Sequence, residues 1–202
     1  MKIKKIKNHS IKLIRLQLLK TKIFSKKQHS KNITVEDIEY RLKKTLQIIY
    51  KYHINNKTIA FIGTPHTIND WISTIFKSTK HVLIPEALWV NGILTNQLPS
   101  LKFLLHNKKI KNKKLSETLF KLKKNIDLIV VLNSMTNIDA LEEGYNANIP
   151  IISLNAETNL TDTKSLYKLP GNFKFSEKTY RNNLFFSLLA ASLNYKLKRK
   201  LI

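Results

Sequence analysis

The chain has 202 residues, 43% of them hydrophobic, no cysteine, and a formal net charge of +23 from 36 Lys and Arg against 13 Asp and Glu. Without cysteine there is neither a disulfide framework nor a thiolate metal site, and secretion has no support. The longest apolar run, Phe185 to Leu193, is far short of the ~20 residues a spanning helix needs, so a soluble protein is expected, and the charge makes a polyanion the default partner.

Met1 to Lys31 carries 11 basic residues and no acidic one, Lys4, Lys5, Lys7, Lys26 and Lys27 among them. Residues 1–33 read as a basic arm. Met1 to Leu19 has the apolar and basic pattern of a mitochondrial presequence, but built on Lys with little Arg or Ser. A cleaved presequence is one alternative, and an arm retained in the mature protein is the reading adopted.

The first strong helix is predicted over Val35 to His53. Thr34 can cap it, Glu36 and Asp37 suit its first turn, and Ile38, Leu42, Leu46 and Ile49 repeat on one face. A continuous apolar strand, Thr58 to Ile62, follows and is closed by Gly63-Thr64-Pro65. An amphipathic helix near Ile68 to Lys77 leads to a second short strand, His81 to Ile84, stopped by Pro85. After it comes Leu88-Trp89-Val90-Asn91-Gly92-Ile93-Leu94-Thr95-Asn96, which couples a large aromatic to a tight Asn-Gly turn and a helix-starting Thr95 or Asn96. Taken alone, Trp89 reads as a core-closing residue.

Leu98 to Asn125 is a second cationic stretch, with 9 bases and only Glu117. It reads as two helices interrupted near Asn107 to Asn112, where Lys108, Lys109, Lys111, Lys113 and Lys114 cluster. The alternation then resumes with a strand at Ile126 to Leu132, a helix at Ile138 to Ala147, a buried strand at Ile149 to Leu154 and a helix at Ser176 to Leu193 with a stripe through Leu184, Leu188 and Ala191. Asn194 to Ile202 forms a basic tail with Lys196, Lys198, Arg199 and Lys200. Wholly apolar strands alternating with helices predict a doubly wound α/β domain, flavodoxin- or Rossmann-like, over residues 34–193: a parallel sheet with helices on both faces and an inserted basic helical hairpin at about 98–125.

The three cationic stretches hold 24 of the 36 bases and one of the 13 acids, so the rest carries 12 of each sign. A neutral body with three cationic extensions is the pattern of a fold anchored to a phosphate backbone. Only Arg15, Arg41, Arg181 and Arg199 are arginines, although Arg is the better phosphate ligand. An A+T-biased gene accounts for the excess of Lys, Asn and Ile, as in organellar genomes.

The fold is a common host for nucleotides, yet Gly63-Thr64-Pro65-His66-Thr67 offers one glycine, no G-x-x-x-x-G-K and no acid at the end of the next strand. His66 reads as a cap or surface residue. The other histidines, His9, His29, His53, His81 and His106, are scattered and supply no metal ligand set. Glu142 and Glu143 are adjacent and point to different helix faces, which suits solvation better than acid–base work. No catalytic group, cofactor or metal is expected.

The segment Trp89, Gly92, Leu94, Thr95 and Asn96 resembles the Trp-Leu-Gly-Gly-x-Leu-Thr-Asn of the small-subunit ribosomal protein S2 family, in its bacterial and organellar form, with Asn91 replacing the first glycine. Asparagine tolerates the left-handed backbone better than other non-glycine residues. In order and spacing, Ile126 to Val131 through Glu142 to Ile149-Pro150 resembles the family's strand, helix and Ile-Pro strand start. Glu157-Thr158-Asn159 is similar to its Asp-Thr-Asn, and Leu169-Pro170-Gly171-Asn172 to its Ile-Pro-Gly-Asn. The resemblance covers roughly Thr34 to Leu193. The arginine that commonly precedes the tryptophan is Leu88, the acid after Pro-Gly-Asn is Phe173, and the amino-terminal His-Phe-Gly-His is not recognisable around Lys22 to Ser25. These departures favour a fast-evolving mitochondrial member, organelle-encoded, over a plastid or bacterial one.

The resemblance implies a structural constituent of the small subunit with no chemistry of its own. Its partners would be ribosomal RNA and neighbouring proteins, with no membrane and no small-molecule substrate. It implies contacts from the lysines named above, from Trp89, Asn91, Gly92, Thr95 and Asn96, from Gly171 and Asn172, and from Lys198, Arg199 and Lys200. The competing classes are an organellar RNA-modifying enzyme on the same topology and a basic peripheral membrane protein.

Overall fold

Thr34 opens α1 (Val35–Ile54) through a reciprocal capping box in a computed structural model that describes residues 14, 16–19, 34–64, 76, 78–86, 89, 91–96, 125–133, 137–155, 164–171, 173 and 184–199. The Asp37 N–H donates to the Thr34 hydroxyl at 3.2 Å, while the Asp37 carboxylate accepts from the Thr34 N–H at 3.1 Å and from its hydroxyl at 2.7 Å. Helix-end donors with no intrahelical acceptor are thereby satisfied. The bonds from Thr34, foremost from its side chain, hold the Asp37 carboxyl below its ordinary value of 3.8. A depressed carboxylate stabilises the fold above its unfolded pKa, and that contribution fades as pH falls through the folded value. Asp37→Asn is therefore expected to cost more stability at about pH 5 than at about pH 3; urea unfolding at the two pH values measures the difference.

The apolar stripe of α1 runs Ile38, Leu42, Thr45, Ile49 and His53, all buried. Leu46, predicted on that stripe, is half-buried beside it. Strands β1 (Ile59–Thr64), β2 (Val82–Pro85), β3 (Leu128–Val131), β4 (Ile151–Leu154) and β5 (Tyr167–Leu169) form one wholly parallel sheet in the order β2-β1-β3-β4-β5. This is the doubly wound α/β class expected, in flavodoxin-like order. β1 continues past Ile62 through Gly63 and Thr64, with a register shift there. Pro85 ends β2 from within, which an edge strand permits because a missing N–H costs no ladder bond on the open side. β5 was not predicted: its three residues include a lysine and form no apolar run. The Arg41 guanidinium donates to the Lys168 carbonyl at 3.4 Å, so α1 reaches this edge strand.

Side chains alternate strictly across the sheet, as the twofold period of a strand requires. Ile59, Phe61, Leu83, Leu128, Val130, Ile152 and Leu154 enter a core shared with α1 and α3 (Leu184–Arg199), whereas Ala60, Ile62, Val82, Ile84, Ile129, Val131 and Ile151 enter a second core under α2 (Ile138–Asn146). A Cβ on Gly144 would lie 2.7 Å from Ile129 Cδ1 and 3.0 Å from Ile151 Cδ1, so glycine lets α2 sit close on β3 and β4.

Two expectations about the ends change. The buried stripe of α3 is Leu184, Phe185, Phe186, Leu189, Ala190 and Leu193, while Leu188 is half-buried and Ala191 exposed. The stripe is turned toward the two phenylalanines, whose rings stack edge to face at 5.1 Å. α3 also runs on through Arg199, so Lys196, Lys198 and Arg199 continue a helix of the body instead of starting a separate tail after 193. At the other end, Ile14 and Leu16–Leu19 are helical and Leu18 is 0% exposed in the α1/α3 core. The basic arm thus contributes an anchor to the body. The predicted helix at Ile68 to Lys77, apart from buried, helical Phe76, lies outside the described residues, as do the hairpin up to Lys124 and residues 174–183. Among the described residues no helix is long and apolar enough to cross a membrane.

Candidate interaction surface at the carboxyl edge of the sheet

Beyond β2 the chain turns at once: the Trp89 N–H donates to the Glu86 carbonyl at 3.2 Å and the Asn96 N–H to the Gly92 carbonyl at 2.7 Å. Gly92 has φ +93°, a left-handed conformation that a side chain disfavours. Asn91 does not; the non-glycine residues with positive φ among those described are Asn56, Asn148 and Asn155. Replacing glycine at 91 therefore needs no left-handed tolerance. Ile93 is buried in the second core, and Trp89 and Leu94 pack half-buried against it. Trp89 closes a core, as the residue alone suggests, while Asn91, Thr95 and Asn96 form an exposed polar rim.

The loop is held from α2, on the same face of the sheet, by a residue that sequence reasoning placed in solvent. Glu143, 8% exposed, accepts at Oε1 from the Leu94 N–H at 2.7 Å, the Thr95 N–H at 3.0 Å and the Thr95 hydroxyl at 3.1 Å. Its neighbour Glu142 is exposed and pairs with Lys164. Adjacent glutamates do occupy different helix faces, but one of those faces looks onto the loop. The only local signal was Glu143 preceding Gly144, on the side where α2 presses against the sheet.

A second anchored turn lies at the far edge. Asn155, at the end of β4 with φ +56°, donates from Nδ2 to the Leu132 carbonyl at 2.9 Å and accepts at Oδ1 from the Phe173 N–H at 2.5 Å. Gly171 has φ +121°, and Phe173 is buried against Phe185 with ring centroids 6.4 Å apart. The position where the family has an acid is thus a core aromatic here. Four strand steps separate β2 from β5, roughly 19 Å at ~4.8 Å per step, so the Trp89 loop and the Pro170-Gly171 turn start from opposite edges of the sheet.

Between them, the strand order reverses at β1 and β3, where such folds hold nucleotides. There a Cβ on Gly63 would meet Asn137 Nδ2 at 2.7 Å. Asn137 is buried and donates from Nδ2 to the Asn133 carbonyl at 2.9 Å. The space freed by glycine at 63 is filled by an amide of the protein itself.

The structure also joins two histidines read as scattered. His53, near the end of α1, and His81, before β2, are both buried with Nδ1 and Nε2 at 2.8 Å. The Ile59 N–H donates to His81 Nδ1 at 3.3 Å, which leaves the His81 ring hydrogen on Nε2, donating to His53 Nδ1. The pair is a polar element of the core, and no cluster of three or more metal-ligating side chains occurs among the described residues.

Of the residues implicated by resemblance, the structure brings Trp89, Asn91, Gly92, Thr95 and Asn96 into one loop and sets Gly171 at the opposite edge. Lys198 and Arg199 lie on α3, with only their backbone described. Lys4, Lys5, Lys7, Lys26, Lys27, Lys108, Lys109, Lys111, Lys113, Lys114, Asn172 and Lys200 lie outside the described residues, as do His66 and the Glu157-Thr158-Asn159 segment.

A family model described as ribosomal protein S2 matches residues 9–124. The match begins upstream of Thr34, inside the basic arm, and ends before β3. No curated protein matches the chain.

Proposed function

This chain belongs to the ribosomal protein S2 family, a structural family of the small ribosomal subunit, and on that premise we propose that it is an RNA-binding constituent of a mitochondrial small subunit, encoded in the organelle. The observation that carries the RNA-binding part is the extent of the match. Residues 9–124 take in most of the first cationic stretch and nearly all of the second, so the charge belongs to the family-defining part of the chain. Lysines of the arm and insertion neutralise phosphates without reading sequence, while the α/β body holds them in register. The compartment rests on composition: lysine in place of arginine, abundant Ile and Asn, and departures from the bacterial motif.

A sucrose gradient of mitochondrial lysate, probed for the full chain at low salt with magnesium, tests the assignment. The chain is expected in the small-subunit peak, and its absence there would sink the proposal. Affinity of the purified protein for small-subunit RNA is expected to fall by at least about tenfold between 50 and 200 mM salt, because each neutralised phosphate releases counterions. A flat salt dependence would reject the phosphate mechanism.

A further inference from the structure

The body is neutral in sum but not in arrangement. Between Lys80 and Lys102, and again between Lys124 and Lys164, the chain has no lysine or arginine. Those two segments build β2, the Trp89 loop, β3, α2 and β4, which places them around the second core. Its covering helix α2 carries Asp139, Glu142 and Glu143 and no base. On the other face, α1 carries Arg41, Lys43, Lys44 and Lys51 beside Glu36, Asp37 and Glu39, and Leu18 ties the basic arm down. Where α1 mixes both signs, α2 presents carboxylates and no base of its own.

The outward side of α2 is not simply solvated. Ile138, Glu142 and Tyr145 recur at i, i+4 and i+7, one stripe of a helix, and Ile138 and Tyr145 are each 56% exposed. Asp139 is exposed beside them, and Lys164, paired with Glu142, is the one base bonded to this side among the described residues. The rim of the Trp89 loop, tied to the neighbouring, buried face of α2 through Glu143, offers Asn91, Thr95 and Asn96, all uncharged. An aromatic and an aliphatic anchor flanked by carboxylates is repelled by a phosphate backbone and complements a cationic protein surface.

We infer that the outward face of α2, together with the rim of the Trp89 loop, docks a lysine- and arginine-rich protein neighbour, while RNA is met by the bases of α1, the arm and the insertion. This rests on the ribosomal reading. The carboxylates steer the basic partner and suppress RNA at this face, and Ile138 and Tyr145 supply the buried contact.

The test uses the full-length tagged chain in assembled subunits, with a photoreactive benzophenone side chain at position 145 and, as control, at position 44 on α1. After irradiation, the position-145 adduct is expected to survive RNase and to contain a protein rich in Lys and Arg, whereas the position-44 adduct is RNase-sensitive. An RNase-sensitive adduct at 145, a crosslink to the chain's own basic hairpin or to a second copy, or no adduct at 145 while 44 crosslinks overturns the inference. Absence of the chain from the subunit peak before irradiation fails the ribosomal reading instead. The variant Asp139→Lys/Glu142→Lys, changed only at exposed positions, is expected to enter subunits about fivefold less while binding naked small-subunit RNA at least as tightly as wild type. Unchanged entry of this variant also overturns the inference.

Discussion

Glu143→Leu is expected to destabilise the body by about 3 kcal/mol and to release the Trp89 loop, because it removes the acceptor of two backbone N–H groups and a hydroxyl in a partly buried setting. The three bonds converge on one oxygen; they share a single acceptor, so the expected loss is smaller than three times that of a lone charged hydrogen bond. Glu143→Gln keeps an acceptor oxygen at the same reach and is expected to cost about half as much. Equilibrium unfolding in urea ranks the variants. In a Trp71→Phe background, the emission of Trp89 reports whether the loop has come away from the second core. A Glu143→Leu protein with wild-type stability and unchanged Trp89 emission would mean that the loop holds itself.

His81→Leu is expected to cost about 2–4 kcal/mol, since it leaves the Ile59 N–H and His53 Nδ1 facing an apolar side chain in the core. His53→Leu alone should cost less, because the Ile59 bond to His81 survives it. The double variant is expected to be more stable than the two single losses added together, by about 1 kcal/mol or more, because groups that share a hydrogen bond do not contribute independently. Additive single losses would show that the 2.8 Å contact contributes nothing of its own.

The parts of this protein legible from sequence are those whose physics is local. Thr34, Glu36 and Asp37 announce the start of α1 because capping acts over three residues. The apolar strands around Phe61, Val130 and Ile152 announce a sheet covered on both faces because they show no alternation of polar and apolar residues, Ser153 being the one polar side chain within β4. Gly92 marks a left-handed turn, and the ordered motif around Trp89 points to the family that the match over residues 9–124 bears out. β5 was missed because a three-residue edge strand owes its conformation to the neighbour it pairs with. The α3 stripe was turned by one residue because Phe185 and Phe186 both find room against the sheet.

The site was less legible. Glu143 looked like half of a solvated pair, and its role depends on Thr95, 48 residues away. His53 and His81, 28 residues apart, meet only because α1 ends where β2 begins. In the same way, Phe173 looked like a lost acid until Asn155 drew its backbone to the carboxyl edge.

Sequence by itself determined the class of fold, the family, and a charge excess concentrated in the arm, the insertion and the carboxyl end. It did so because hydrophobic period, capping and net charge are properties of short stretches of chain. Only the tertiary structure decided which glutamate is buried, which histidines pair, and that α2 sets its carboxylates beside an exposed Ile138 and Tyr145. Those outcomes depend on strand order and on the side to which each helix crosses, which bring residues tens of positions apart into contact and which no local pattern encodes.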